Sequence, residues 1–188
     1  MKKIFLILLF VFSSSLHAEE GFKLVLSAGL TAGGEKLIST TSGSSLTSGG
    51  MILLSAGSVY SFADSGFQIQ GAFGYHFDEL TATDGSASFS RTTLEIIPFY
   101  QVTETARVGL GLIQVMSPSY SDPFDSMTFE DTTGFLVEVD WKTHGSSWWG
   151  IRYASIDYTV ATLNGTDVSF AAIPIDGNYF GVIFHAGF

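Results

Sequence analysis

The stretch that most constrains this chain is Gly177–Phe188, GNYFGVIFHAGF. Counted in twos from its end, one set reads Phe188, Ala186, Phe184, Val182, Phe180. The other reads Gly187, His185, Ile183, Gly181, Tyr179. A period of two is that of a strand, with one wholly apolar face and one small or mixed face. No Asp, Glu, Lys or Arg falls in these residues. A soluble domain would have to cover such a strand on both sides. A membrane barrel gives it lipid on one side and a lumen on the other.

The amino terminus carries an export address. Lys2 and Lys3 precede an unbroken apolar run, Ile4–Phe12, and then Ser13–Ala18 leads into Glu19–Glu20. This is the pattern of a cleavable signal peptide over residues 1–18, too short to span a bilayer as a helix. Residues 19–188 then form one domain. Without cysteine there is neither a lipid-anchored amino terminus nor a disulfide framework in the oxidising compartment beyond. Removing Lys2 and Lys3 leaves six Lys and Arg against 18 Asp and Glu, a net charge of −12. Such a balance excludes nucleic acid as a partner, since nothing would neutralise its phosphates.

Eight alternating segments follow in order: 22–31, 51–62, 67–77, 89–102, 107–116, 133–142, 148–160 and 178–188. The sixth is the cleanest, with Phe135, Val137, Val139 and Trp141 opposite Leu136, Glu138, Asp140 and Lys142. Pro98 weakens the fourth, because it cannot donate to a ladder. Connections alternate long and short: 32–50 long, 63–66 short, 78–88 long, 103–105 short, 117–132 long, 143–146 short, 161–177 long. An up-and-down barrel with both termini on one side has tight turns at one rim and long loops at the other. Aromatics gather near both strand ends. Tyr60, Phe62, Phe67, Tyr100, Trp141, Trp148, Trp149 and Phe188 mark the turn rim. Tyr75, Phe77, Phe89, Phe135, Tyr158 and Tyr179 mark the loop rim. The expectation is an all-β, eight-stranded antiparallel up-and-down transmembrane β-barrel. A lipocalin-like soluble barrel also alternates, but the second and eighth segments lack the polar face it would turn to water.

The closing strand resembles the C-terminal strand of bacterial outer-membrane β-barrels, with Ala186 where that family more often has an aromatic. The chain is similar, over its whole mature length, to the small eight-stranded superfamily that includes the transmembrane domain of outer membrane protein A. The resemblance rests on architecture, signal peptide and terminal Phe188, not on an internal motif. It implies residence in a Gram-negative outer membrane, and insertion by the assembly machinery with Phe188 as the assembly signal. Members range over structural, adhesive, complement-evading and lipid A-modifying roles, so the resemblance alone selects none of them.

Alternation sends Lys23, Gln68, Gln70, His76, Glu95, Arg107, Glu138, Asp140 and Arg152 to the lumen. In so narrow a barrel side chains fill the interior, and buried charges persist only when paired. Glu95, Arg107, Glu138, Asp140 and Arg152 are therefore expected to form an ion-pair plug, Glu138 with Arg152 and Glu95 with Arg107. A narrow, porin-like conductance path is the competing use of the same residues. For catalysis, His76 with Asp78 and Glu79, or His185 with serines across the barrel, are the candidates. A lipid A-modifying enzyme would need base, hydroxyl and acid in contact, and no spacing motif singles one out, so no catalytic residue, cofactor or metal is assigned. Ten acids fall in the long connections, four of them in 117–132 beside Tyr120, Phe124, Met127 and Phe129. They read as a solvated charged loop, as a divalent-cation bridge to lipopolysaccharide, or as a protein-binding surface anchored by Tyr120, Phe124 and Phe129. The reading reached is a monomeric structural or surface-binding barrel without catalysis.

Overall fold

A computed structural model describes residues 21–40, 43–63, 65–82 and 85–188. The expected signal peptide and its cleavage point lie outside the described residues. Eight antiparallel strands close a ring: β1 (Phe22–Gly33), β4 (Ile52–Ser61), β5 (Phe67–Ala82), β6 (Gly85–Thr103), β7 (Ala106–Ser121), β9 (Thr132–Lys142), β10 (Trp148–Ser155) and β14 (Tyr179–Gly187). Closure is made by β1 with β14, from Val25↔Gly187 to Gly33↔Tyr179. The remaining strands extend the loop rim: β2 (Lys36–Ser39) pairs with β3 (Ser45–Thr47), and β8 (Ser126–Phe129) with β7 and with β11 (Asp157–Leu163). Beside β11 run β12 (Thr166–Asp167) and β13 (Pro174–Asp176).

The lumen and lipid faces fall as the alternation requires. Leu26, Leu30, Phe73, Ile96, Leu110, Leu112, Ile151 and Phe180 are exposed, while Glu95, Glu138, Asp140 and Arg152 are buried. Pro98 is accommodated on the outer face of β6 opposite Ile69, and the register to β7 is the same on either side of it (Ile96↔Leu112, Phe99↔Gly109).

Two of the expected long connections are largely strand. The β5–β6 ladder runs on to Ala82↔Gly85, and β7 continues to Ser121 where it meets β8. Nineteen residues in β6 span about 60 Å, far more than the apolar band of about 25 Å that lipid covers. The outward residues of β6 record the change. Tyr100, Pro98, Ile96 and Leu94 are succeeded by Thr92, Ser90, Ser88 and Ser86, while Phe89 and Ala87 turn inward and are buried. On β5 the switch falls after Phe77, at exposed Glu79. Above the membrane band the barrel is thus polar outside and, apart from buried Arg91 and Asp78, apolar inside, as a soluble barrel is. Its core holds Leu46, Phe89, Val115, Tyr120, Phe129, Tyr158, Val160 and Tyr179.

That inversion corrects the loop-rim girdle. Phe89, Tyr158 and Tyr179 face inward, as does Trp148 at the turn rim. Tyr60, Phe62, Tyr100, Trp141, Trp149 and Phe188 remain on the outside at the turn rim.

The first connection folds into the mouth. Leu46 and Ser48 of the β2–β3 hairpin and its exit are fully buried. The hairpin's neck requires glycine, because a Cβ on Gly34 (φ +74°) would lie 2.3 Å from Gly49 N, and one on Gly49 2.4 Å from Gly33 O.

Candidate functional site

In the lower lumen Arg152 lies opposite Glu138 in the β9–β10 register, one residue from the pairing expected by counting outward from the turn. Its Nε donates to Glu138 Oε2 at 2.5 Å, and its NH1 to both oxygens of Glu95 at 2.9 Å. One guanidinium thus spans two carboxylates. The expected pairing of Glu95 with Arg107 is not formed. The β6–β7 register sets Glu95 opposite Ile113 and Arg107 opposite Gln101, whereas the β7–β9 register sets Arg107 opposite Asp140. Arg107 Nε accordingly donates to Asp140 Oδ2 at 2.7 Å, and its NH1 to Gln68 Oε1 at 2.9 Å. Phe99 and Trp148 flank its guanidinium, 3.9 and 4.7 Å from the ring centres. Charge desolvated in this way persists because each carboxylate faces a fixed donor.

His185 joins the same layer, with Nε2 2.8 Å from Glu138 Oε1 and Nδ1 2.7 Å from Ser27 Oγ. An ionised carboxylate only accepts, so Nε2 donates to Glu138, and in the neutral ring Nδ1 accepts from the Ser27 hydroxyl. Serine, histidine and acid are therefore in contact, the residue types of nucleophilic catalysis. The arrangement differs from that chemistry in that Glu138 is also ion-paired to Arg152 and all three side chains are buried in the lumen. His76 meets neither Asp78 nor Glu79. Its Nδ1 accepts from Arg91, and its Nε2 lies 2.7 Å from Thr31 Oγ1, which donates to the Gly50 carbonyl at 3.0 Å.

Among the described residues, Glu138, Asp140 and His185 are the group whose ligand atoms lie within 4.8 Å of one another. Asp140 Oδ1 is buried without a hydrogen-bond partner. A divalent ion there would sit beside the guanidiniums of Arg107 and Arg152, which already hold the other carboxylate oxygens, so these residues are a poor metal site.

Arg91 is the residue that sequence reasoning passed over, although the β6 alternation through Glu95 and Thr93 reaches it. Its guanidinium donates to the carbonyls of Ser48 at 2.9 Å and Gly49 at 3.0 Å, and to Tyr158 Oη. It fastens the folded-in hairpin to the barrel wall.

At the loop ends, the expected anchors separate. Tyr120 and Phe129 are buried in the outer core, whereas Phe124 is 82% exposed. Phe170, on the short 3₁₀ turn Ser169–Ala171, is 86% exposed and was not among them. The two loops carrying these rings are tied: Asn164 Nδ2 donates to Asp125 Oδ1 at 2.9 Å, and Ser126 N to Asn164 Oδ1 at 2.8 Å. The loop carboxylates mostly cap backbone. Asp122 accepts from the Phe124 and Asp125 N–H groups at 2.7 Å, Asp131 from Ser117 N at 2.7 Å, and Asp167 from Ser169 N at 3.0 Å. Donation from Tyr120 and these backbone groups holds Asp122 below the usual carboxylate range, and burial with the neighbouring acids raises Tyr120.

Closed ring, apolar belt and filled lumen define the class: the fold is that of the small eight-stranded outer-membrane β-barrels. In particular, it is similar to Ail, the attachment invasion locus protein of Yersinia pestis, solved in complex with the heparin analogue sucrose octasulfate. The TM-score is 0.54 at 11% identity, covering 90% of this chain and all of that one. Neisserial surface protein A gives a TM-score of 0.51 at 10% identity, covering 90% and 98%. No family model matches the sequence, and no curated protein does.

Proposed function

We propose that this protein is a closed outer-membrane barrel, non-catalytic and monomeric, that displays a protein-binding surface on its outer loop ends. The observation that carries the reading is the filling of the lumen from the ion-pair layer up to the mouth. A layer of ion pairs (Glu95, Arg107, Glu138, Asp140, Arg152) lies below, the Arg91-held hairpin lies at the mouth, and an apolar core lies above the membrane band. With the lumen plugged, the two large exposed rings at the loop ends among the described residues, Phe124 and Phe170, sit on the tied loop pair. Exposed aromatics ringed by polar groups are the usual anchors of a binding patch.

Charge selects the partner. Ail is solved with a sulfated sugar analogue, but here the loop ends carry Asp122, Asp125, Asp131 and Asp167 with no nearby excess of base. A polyanion would be repelled, and a basic protein surface is the complementary partner.

The test has two arms on the barrel reconstituted in lipid. Planar-bilayer recordings are expected to give no stable single-channel conductance, and a regular open level would establish the channel reading instead. A basic peptide probe is expected to bind in a salt-sensitive way, and the Phe124→Ser, Phe170→Ser double variant to bind at least about tenfold more weakly. Unchanged binding by that variant, or preference for heparin over the basic peptide, would overturn the assignment. A second reading rests on the Ser27–His185–Glu138 contact. Labelling of Ser27 by a fluorophosphonate on the folded barrel would convert it into a catalytic site.

A further inference from the structure

The ion-pair layer opens toward the turn rim into a small vestibule of about 100 Å³. Lys23, Arg107 and Lys142 line it together with Gln68, Gln101 and His185, and no carboxylate is among its lining residues. Three of the six bases left to the chain after its signal thus meet in one mouth, in a protein with 18 acids. Their donors are only partly used. Lys23 Nζ donates to Ser146 Oγ at 3.0 Å, and the Lys142 ammonium lies 5.9 Å from the Trp148 ring centre. Neither lysine is in an ion pair among the described residues. Arg107 spends three of its five N–H groups, on Asp140, Gln68 and Gln70. Gln68 accepts from Arg107 through its oxygen, which leaves its NH₂ free to donate.

From this arrangement we infer that the vestibule is a binding site for a small tetrahedral oxyanion, a phosphate or phosphomonoester group. Asp140 balances Arg107, so the uncompensated charge is that of Lys23 and Lys142, exposed at the rim of the cavity, and the low-dielectric barrel wall beneath them focuses their field inward. The donors differ in kind and direction: a rigid guanidinium at the floor, ammonium groups at the rim and an amide between. A charge-dense anion with several acceptor oxygens matches that set, and a chloride ion does not. The volume admits one such group and excludes a polymer. Its position at the turn rim offers two sources of the same chemistry, a free phosphate or the headgroup of an anionic phospholipid. The inference is independent of the outer loop surface.

The test uses the folded barrel in maltoside micelles, with the Trp148 indole and His185 ring signals followed by NMR. Inorganic phosphate is titrated against chloride at constant ionic strength. Saturable shifts with phosphate and none with chloride are expected, and Lys23→Gln, Lys142→Gln is expected to weaken binding about tenfold. Should that variant not fold, acetylation of the two lysines on the folded wild-type protein serves the same purpose. A second arm places the barrel in phosphatidylcholine vesicles with and without phosphatidylglycerol. Shifts confined to the anionic vesicles assign the headgroup as the ligand and keep the site. Equal responses to phosphate and chloride with no effect of anionic lipid, or undiminished binding after both lysines lose their charge, would overturn the proposal.

Discussion

Single residues decide what the lumen can hold, and the sharpest case is the Arg152 bridge. Removing one partner of a buried pair strands the other charge at a cost of about 3–5 kcal/mol, whereas replacing both can be nearly neutral. Urea unfolding of Glu138→Gln, Arg152→Met and the double variant is expected to show the double losing clearly less than the two singles added. Strict additivity would mean that the two side chains do not support each other. Because Glu95 also faces Arg152, Arg152→Met is expected to be the costlier single change. Asp122 supplies a pH handle outside the membrane band. Its native carboxyl is held below the ordinary range, so the stability it lends the loop tip is complete above the unfolded carboxylate value. That stability fades as pH falls through the lowered native value. Protection of the Phe124 and Asp125 amides, measured as the exchange rate relative to the intrinsic rate at each pH, is therefore expected to fall on acidification in wild type and to be lower and independent of this titration in Asp122→Asn. The five lumen residues were legible from parity alone, since a period of two leaves no freedom about which way Glu138 or Arg107 points. Their partners were not, because a pairing depends on register, and one residue of slip at the 143–147 turn changes who faces whom.

At the scale of elements, strand faces were readable and strand ends were not. Acids, serines and threonines in 78–88 and 117–132 carry a loop's composition, yet the ladder runs through them, because above lipid a strand must turn its polar side outward. The inversion at Glu79 and Thr92 leaves alternation intact and swaps its meaning. On the lipid face Val137→Arg is expected to destabilise the barrel by about 2–4 kcal/mol if it lies near the midplane, and more than Thr133→Arg, nearer the loop rim on the same face. Equal losses would show that the band lies elsewhere. The β2–β3 hairpin had no sequence signature as an inward element; its burial rests on Arg91 and on glycines at its neck. Arg91→Met is expected to release it, and trypsin then to cleave after Lys36 in a barrel that remains folded on a heat-modifiability gel. Persistent resistance at Lys36 would place the restraint in Leu46 and its apolar neighbours instead.

For the whole molecule, charge and hydropathy were legible as a class of object, while the use to which its outer surface is put depends on where two rings end up. Phe124 was visible as an aromatic in an acidic loop. Phe170 gained meaning only once the tie through Asn164 brought its loop beside the first. Deleting Phe188, the proposed assembly signal, is expected to lower the folded fraction and raise degradation during export, and unchanged insertion would sink that role. The seam between β1 and β14 extends this point into time. Phe188 exchanges backbone hydrogen bonds with Leu24, N–H to O at 2.9 Å and back at 3.2 Å, so the strands farthest apart along the chain are immediate neighbours in the ring. Until the last of them arrives, two unpaired edges stay open, with no lipid-compatible resting state for either. Such a chain closes slowly and late, since its decisive contact has nearly the longest loop the sequence allows. The interval between emergence of β1 and arrival of β14 is then the period in which both edges are open to pairing with other strands.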